Sequence, residues 1–195
     1  MEKRDNMKTK EEVRKQVFAA RAQVTREWVE ERSRQIADRV IALPAFKRAS
    51  RIFAYMDFKN EVMTRFLIEE AWKDGKEVAV PKVVGKELEF YILKDYGQLE
   101  KGCMGIMEPA RGEKALWEDG LMIMPGVGFD GNNRRVGYGG GYYDRYLAAH
   151  PGIQQVAVAF DFQILEEVPA GPTDILPQLI VTESRVFCKK EESAT

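Results

Sequence analysis

A chain of 195 residues that is 45% hydrophobic and 31% charged carries enough apolar material for one core, and too much of it for a disordered segment. Thirty Lys and Arg against 31 Asp and Glu leave a formal net charge of -1, which argues against a general nucleic-acid binder, because such proteins carry a marked basic excess. Two cysteines and one histidine exclude a disulfide scaffold, a structural zinc site and a histidine-rich metal site, and His150, beside Pro151, is a poor member of any Ser-His-Asp triad.

The N-terminal residues are charged and lack the apolar stretch of a secretory signal; residues 1–8 read as a mobile tail. Nothing approaches the ~20 apolar residues of a membrane span, so a soluble cytoplasmic protein is expected. Thr9 with Glu11 and Glu12 marks a helix start, and Val13, Val17, Ala20 and Val24 recur at helical spacing. Thr25 caps a second predicted helix carrying Trp28, Val29, Ile36, Val40 and Ile41, which Pro44 ends. The Arg and Glu residues between them read as a solvated face.

Residues 51–56 (RIFAYM) are a predicted strand and residues 64–73 a helix with Phe66, Leu67, Ile68, Ala71 and Trp72 on its apolar side. Asp74-Gly75 turns the chain into a strand over 77–80, stopped by Pro81, which completes a βαβ unit and implies a parallel pair. Residues 87–93 (ELEFYIL) alternate as one arm of a hairpin or meander. Residues 94–117 read as irregular surface chain, with Gly97, Gly102, Gly105 and Pro109. Buried strands are expected over 121–124, 155–160 and 179–182, a helix over 144–149, and disorder in the tail at 189–195. With neither repeats nor a linker, residues 1–195 form one domain. The fold class is α/β: a three-layer α/β/α sandwich with a mostly parallel central sheet.

The stretch 121–147 organises the chain: an apolar strand, a basic glycine loop, then a helix start. That order suits an anion site, because glycines admit close backbone approach and a helix N-terminus adds partial positive charge. Gly126, Gly128 and Gly131 match G-x-G-x-x-G, but Asn132, Asn133, Arg134 and Arg135 follow where an apolar helix face would have to begin. A Walker-type loop fails as well, since Asn132 and Asn133 stand in the Lys and Ser/Thr places. R-V-G-Y-G-G-G-Y-Y-D, 135–144, remains. Its four glycines are costly in a plain turn, and Arg135 is the best phosphate clamp in it, because a guanidinium binds oxyanions bidentately.

The segment 124–147, MPGVGFDGNNRRVGYGGGYYDRYL, resembles the signature of the 5-formyltetrahydrofolate cyclo-ligase (5,10-methenyltetrahydrofolate synthetase) family. KEEVR (10–14) resembles its Lys-x-x-x-Arg, NEVMT (60–64) its Glu-containing segment, and AVPKV (79–83), GIMEP (105–109) and VPAGPTD (168–174) fall in family order, so the resemblance covers nearly the whole chain. Val136 stands where leucine is common, and Gly140 where some members carry lysine, which removes one lysine contact to the nucleotide.

The resemblance implies an α/β/α fold and an ATP-dependent ring closure of 5-formyltetrahydrofolate to 5,10-methenyltetrahydrofolate, with release of ADP and phosphate. It implies that Lys10 and Arg14 bind the ATP phosphates, with Arg14 also on the folate side. Arg135, Val136, Gly137, Tyr138, Gly139, Gly140, Gly141, Tyr142 and Tyr143 line the ATP site. Tyr138, the three glycines and Tyr142 also border the folate, with Met56 and Glu61, the latter hydrogen-bonding the pterin. Asp144 and Asp174 are the expected Mg2+ ligands, since magnesium takes one or two carboxylates plus phosphate oxygens and water. Arg135 and Asp144 are counted as catalytic, and replacing Asp144 by alanine is expected to stop turnover without disturbing the fold. Arg134 reads as ordinary surface. The expected partners are small molecules, with no nucleic acid and no membrane, for a monomeric enzyme. Two other readings are a non-catalytic nucleotide- or phosphate-binding module of the same shape and a nicotinamide-dependent oxidoreductase.

Overall fold

Thr9 starts the first helix as a reciprocal cap. Its hydroxyl accepts from Glu12 N at 3.2 Å while Glu12 Oε2 accepts from Thr9 N at 2.7 Å. The helix, α1, is Lys10–Arg21, and Thr25 caps α2, Arg26–Ala42, through Trp28 N at 3.2 Å. Pro44 ends α2 and also opens a short helix, α3 (Pro44–Arg48), because a first-turn nitrogen needs no hydrogen. This computed structural model describes residues 8–102 and 105–189. The readings of both tails therefore lie outside the described residues, apart from Lys8 and Lys189, whose N–H donates to Gln178 O at 2.9 Å.

The remaining elements are β1 (Arg51–Ala54), α4 (Arg65–Lys73), β2 (Glu77–Val84), β3 (Glu87–Ile92), β4 (Leu99–Lys101), β5 (Met107–Pro109), β6 (Gly120–Met124), β7 (Gly128–Asp130), β8 (Arg135–Val136), α5 (Tyr142–Ala149), β9 (Ile153–Val158), β10 (Ile164–Leu165), β11 (Leu179–Val181) and β12 (Val186–Cys188). Seven strands form the central sheet in the order β12-β11-β9-β6-β1-β2-β3. The inner five are parallel; β3 and β12 pair antiparallel at the two edges.

Alternation along the parallel strands divides two apolar layers. Ile52, Ala54, Val78, Val80, Leu121, Ile123, Val156, Val158 and Val181 meet Val29, Ile36 and Val40 of α2, Phe46 of α3 and Leu67, Ile68 and Ala71 of α4. Phe53, Ala79, Met122, Met124, Ala157 and Ile180 point the other way, toward Leu147 of α5, Phe90 and Trp117. The three-layer sandwich is thus as expected.

Four local expectations are corrected. β2 does not stop at Pro81: Phe90 O accepts from Ala115 N rather than from β2, so Pro81 opposite it turns its nitrogen away from β3, and β1 pairs with β2 only through Ala79. No ladder bond is lost there. Residues 94–117 hold an antiparallel pair, β4 with β5. The basic glycine segment contains β7 and β8, antiparallel to one another, with β10 parallel to β7 in a second small sheet. The C-terminal edge strand β12 went unpredicted.

Helix α1 covers this small sheet rather than the large one, burying Val13 against Val136 and Val168. The loops after β1 and β6 lie side by side at the carboxyl edge. The chain leaves β1 toward β2 and leaves β6 toward β9, in opposite directions across the sheet. Such a reversal opens a crevice between neighbouring loops, the usual ligand position in open α/β sheets.

Candidate active site

The loop after β6 is shaped by glycines that each do a different thing. A Cβ on Gly126 would meet Phe129 Cζ at 2.2 Å, and one on Gly128 would meet Val13 Cγ1 at 2.5 Å, so these two let the small sheet and α1 close up. Gly131 has nothing within 4 Å. The G-x-G-x-x-G match is therefore packing geometry, and no helix follows it directly. Gly139 (φ +108°) and Gly141 (φ +64°) hold backbone that L side chains rarely adopt, and Gly141 leads into α5. A Cβ on Gly140 would lie 2.5 Å from the Tyr142 ring, so a longer side chain there would require that ring to move. No side chain caps α5, so the first N–H groups of this eight-residue helix, at Tyr142, Tyr143 and Asp144, are open to an anion.

Helix α1 lays a stripe of side chains along this loop. Lys10 Nζ pairs with Asp174 Oδ2 at 2.5 Å, and Arg14 Nε donates to Gly137 O at 2.8 Å. The remaining guanidinium nitrogens of Arg14 have no hydrogen-bond partner among the described residues, and Nη2 lies 3.5 Å from where a Gly139 Cβ would be. Phe18 stacks on the Tyr138 ring at 6.0 Å between centroids; the two are 41% and 51% exposed, an aromatic rim. Arg21, read from the sequence as solvated, is buried. It donates through Nη1 to the Tyr138 hydroxyl and through Nη2 to Gly126 O at 2.9 Å.

Arg135, the expected phosphate clamp, is held by protein contacts. It is buried, its Nη2 donates to Asp144 Oδ1 at 2.7 Å, its Nη1 faces Pro125 O at 3.4 Å, and its Nε has no partner. Its fork is thus taken, and Arg14 is the guanidinium presented at the loop. Asp144 also accepts from Ile175 N at 2.9 Å. Removing it would strand a buried cation, so an alanine there would not leave the fold undisturbed. Arg134 is not ordinary surface: it bridges the fully buried Asp130 (2.7 Å) and Glu167 (2.8 Å). Val136 turns its side chain into the core, leaving only its backbone to the loop.

The two expected magnesium ligands are brought together. Ile175, next to Asp174, is the residue that bonds Asp144, and Arg135 is close enough to influence Asp174 electrostatically. Burial alone would raise the Asp174 carboxyl, but the Gly171 N–H, Lys10 and Arg135 outweigh it and hold it below its ordinary value. Among the described residues no cluster of three or more His, Cys, Asp and Glu is placed to hold a metal. Asp144 Oδ2 and Asp174 Oδ1, however, accept no hydrogen bond from the described residues, so two hard oxygens are left, a set that suits Mg2+ with phosphate and water completing its shell.

Across the crevice, Glu61 sits on the loop after β1, beyond the half-buried Met56. Lys59 and Asn60 before it have φ of 43° and 56°, and Asn60 Nδ2 ties the turn to Arg21 O at 2.9 Å. Glu61 is buried; Oε2 accepts from Phe58 N at 2.8 Å and Oε1 accepts from the Tyr138 hydroxyl. Burial pushes its carboxyl upward, against Arg21, Tyr138 and the Phe58 N–H. Tyr143 packs against both apolar layers, and its hydroxyl is also driven up, first by burial and then by Glu61.

An α/β sheet that sets a glycine-rich loop and an uncapped helix N-terminus at its switch point, opposite a buried carboxylate, has the form of an enzyme's ligand crevice. The chain belongs to the 5-formyltetrahydrofolate cyclo-ligase family, a family of ligases, which it matches over residues 6–183. It is 32% identical over 178 residues to the probable 5-formyltetrahydrofolate cyclo-ligase of Schizosaccharomyces pombe, covering 82% of this chain and 87% of that one. Against the 5-formyltetrahydrofolate cyclo-ligase of Escherichia coli K12 the identity is 32% over 175 residues, covering 86% and 96%. The NMR structure of Aquifex aeolicus 5,10-methenyltetrahydrofolate synthetase superposes with a TM-score of 0.83 at 35% identity over 95% of both chains.

Proposed function

We propose that this protein closes 5-formyltetrahydrofolate to 5,10-methenyltetrahydrofolate at the expense of ATP. The observation that carries this reading is the placing of Arg14 and the open N-terminus of α5 on one side of Tyr138, and the buried Glu61 on the other. Phosphates fit the first, the hydrogen-bonding edge of a pterin the second, and the formyl group lies between them. In the reaction the formyl oxygen attacks the γ-phosphorus and ADP leaves. The neighbouring ring-side nitrogen then attacks the activated carbon and loses its proton, and the C–O bond breaks with departure of phosphate. Such a transfer asks the protein for positioning and charge rather than for a covalent partner.

Arg14 and the backbone N–H groups after Gly141 grip phosphate oxygens, and Lys10 exchanges its pairing with Asp174 for one with phosphate. Arg135 keeps Asp144 in place from behind. Asp144 and Asp174 would hold Mg2+, which supplies neutralising charge to the phosphates when bound. Tyr138 and Phe18 border the folate ring system, with Tyr142, Tyr143 and Met56 closing the pocket. We read the enzyme as a cytoplasmic monomer acting on small molecules.

Mixing the protein with MgATP and 5-formyltetrahydrofolate tests this directly through the absorbance of the methenyl product. Asp144→Asn, which retains an acceptor oxygen for Arg135 and Ile175, is expected to fold and to lose at least 100-fold in turnover, in the range of about 3 kcal/mol for an electrostatic group at a phosphoryl transfer. MgATP binding without any chromophore would leave the non-catalytic module instead.

A further inference from the structure

Arg21 takes no part in the chemistry above, yet it is buried, and a buried guanidinium is costly unless something answers its charge. Its Nε has no partner, while Nη1 donates to the Tyr138 hydroxyl and stands 3.8 Å from Glu61 Oε1. The Tyr138 hydroxyl in turn donates to that same Oε1. The three side chains come from α1, the glycine loop and the loop after β1, so this contact joins the three segments that enclose the crevice.

The groups that face Glu61 are Arg21 from α1, Tyr138 from the glycine loop, Asp57 and Tyr55 from the segment after β1, and Tyr143 from α5. Among them Arg21 alone is positive. Burial pushes the Glu61 carboxyl up, Asp57 adds to the push, and Arg21 is the largest opposing influence.

We propose that Arg21 is the positioning residue for folate recognition: its guanidinium stands 3.8 Å from the buried Glu61 Oε1 as the countercharge and, with the Tyr138 hydroxyl, aims that oxygen into the crevice to meet the N–H donors on the amino-pyrimidinone edge of a pterin. This rests on the reading of Glu61 as the pterin acceptor. A neutral carboxyl would place its own O–H against those donors, whereas a carboxylate accepts from two at once. A pterin N–H takes the second lone pair of Oε1, beside the Tyr138 hydroxyl that keeps it aimed, and Arg21 stays behind as the fixed charge.

The test follows Glu61 itself. Protein labelled with 13C at the glutamate carboxyl carbon is titrated by NMR, with the Glu61 signal assigned by its loss in Glu61→Gln. In Arg21→Met the Glu61 midpoint moves up by about one pH unit or more, a tenfold change in its protonation ratio. Arg21→Lys returns it toward the parent. If the methionine variant does not fold, Arg21→Gln, which keeps a donor for Gly126 O, carries the same expectation. In steady-state assays the acid limb of the KM for 5-formyltetrahydrofolate moves to higher pH in Arg21→Met, so that below the parent Glu61 midpoint this KM rises by about tenfold over the parent, while the KM for ATP changes less than twofold. A merely structural loss would move both constants and leave the limb in place. An unmoved Glu61 midpoint overturns the proposal. A moved midpoint with an unchanged folate KM overturns the recognition role, while the chromophore assay on the parent protein decides the reaction separately.

Discussion

Gly128 and Gly131 stand three residues apart in one motif and answer to different forces. A methyl group on Gly128 drives into Val13 Cγ1 at 2.5 Å, where neither the strand nor the helix has slack, whereas Gly131 faces open space. Gly128→Ala is therefore expected to cost about 1–3 kcal/mol in denaturant unfolding and to lower activity, because the helix it displaces carries Arg14 and Arg21. Gly131→Ala should stay within about 0.5 kcal/mol of the parent. Equal losses at both positions would contradict the packing account. Arg21 is the instructive miss at this scale. An arginine in a charged helix reads as solvated, yet it continues the stripe of Val13 and Val17 by one more four-residue step, and that register was the available signal. Nothing local could have distinguished Arg134, in the loop and bonded to Asp130, from Arg135, which opens the two-residue β8 and is bonded to Asp144.

At the scale of elements, α1 is a lever: its first turn holds Lys10 and its last holds Arg21. Replacing Thr9 by Ala removes the hydroxyl that caps it and should cost about 1 kcal/mol, with faster amide exchange in the first turn. The Glu12 carboxyl is held below its ordinary value, first by the Thr9 backbone N–H and then by its hydroxyl. A depressed carboxyl contributes stability above its unfolded value and loses it as pH falls through its folded value. The difference in Tm between parent and Glu12→Gln should accordingly be present at neutral pH and close on acidification below the carboxylate range; a gap that widens instead would refute the capping assignment. Both helix caps and the βαβ unit were legible because their causes lie within a few residues. The β7–β8 pair was not, because two- and three-residue strands have no period to read, and their pairing is settled by α1 packing over them.

For the molecule as a whole, the crevice between the loops after β1 and β6 predicts a ligand-dependent stability. MgATP at about 100 times its Kd should raise stability by ~2.7 kcal/mol, a Tm shift on the order of 5–10 °C for a domain of this size, and NAD should leave Tm unchanged. Arg14→Ala should abolish most of the MgATP shift. A shift with NAD and none with MgATP would return the G-x-G-x-x-G match to contention. What the sequence determined alone had short-range causes: the caps, the alternating strands, the parallel unit, and a glycine segment distinctive enough to carry its family. The tertiary structure decided which charges meet. Lys10 reaches Asp174 across 164 residues of chain, and Arg21 comes within 3.8 Å of Glu61, because the order of strands brings α1 over two loops it does not adjoin in sequence. Coulombic partnership depends on distance in space, and distance along the chain does not encode it.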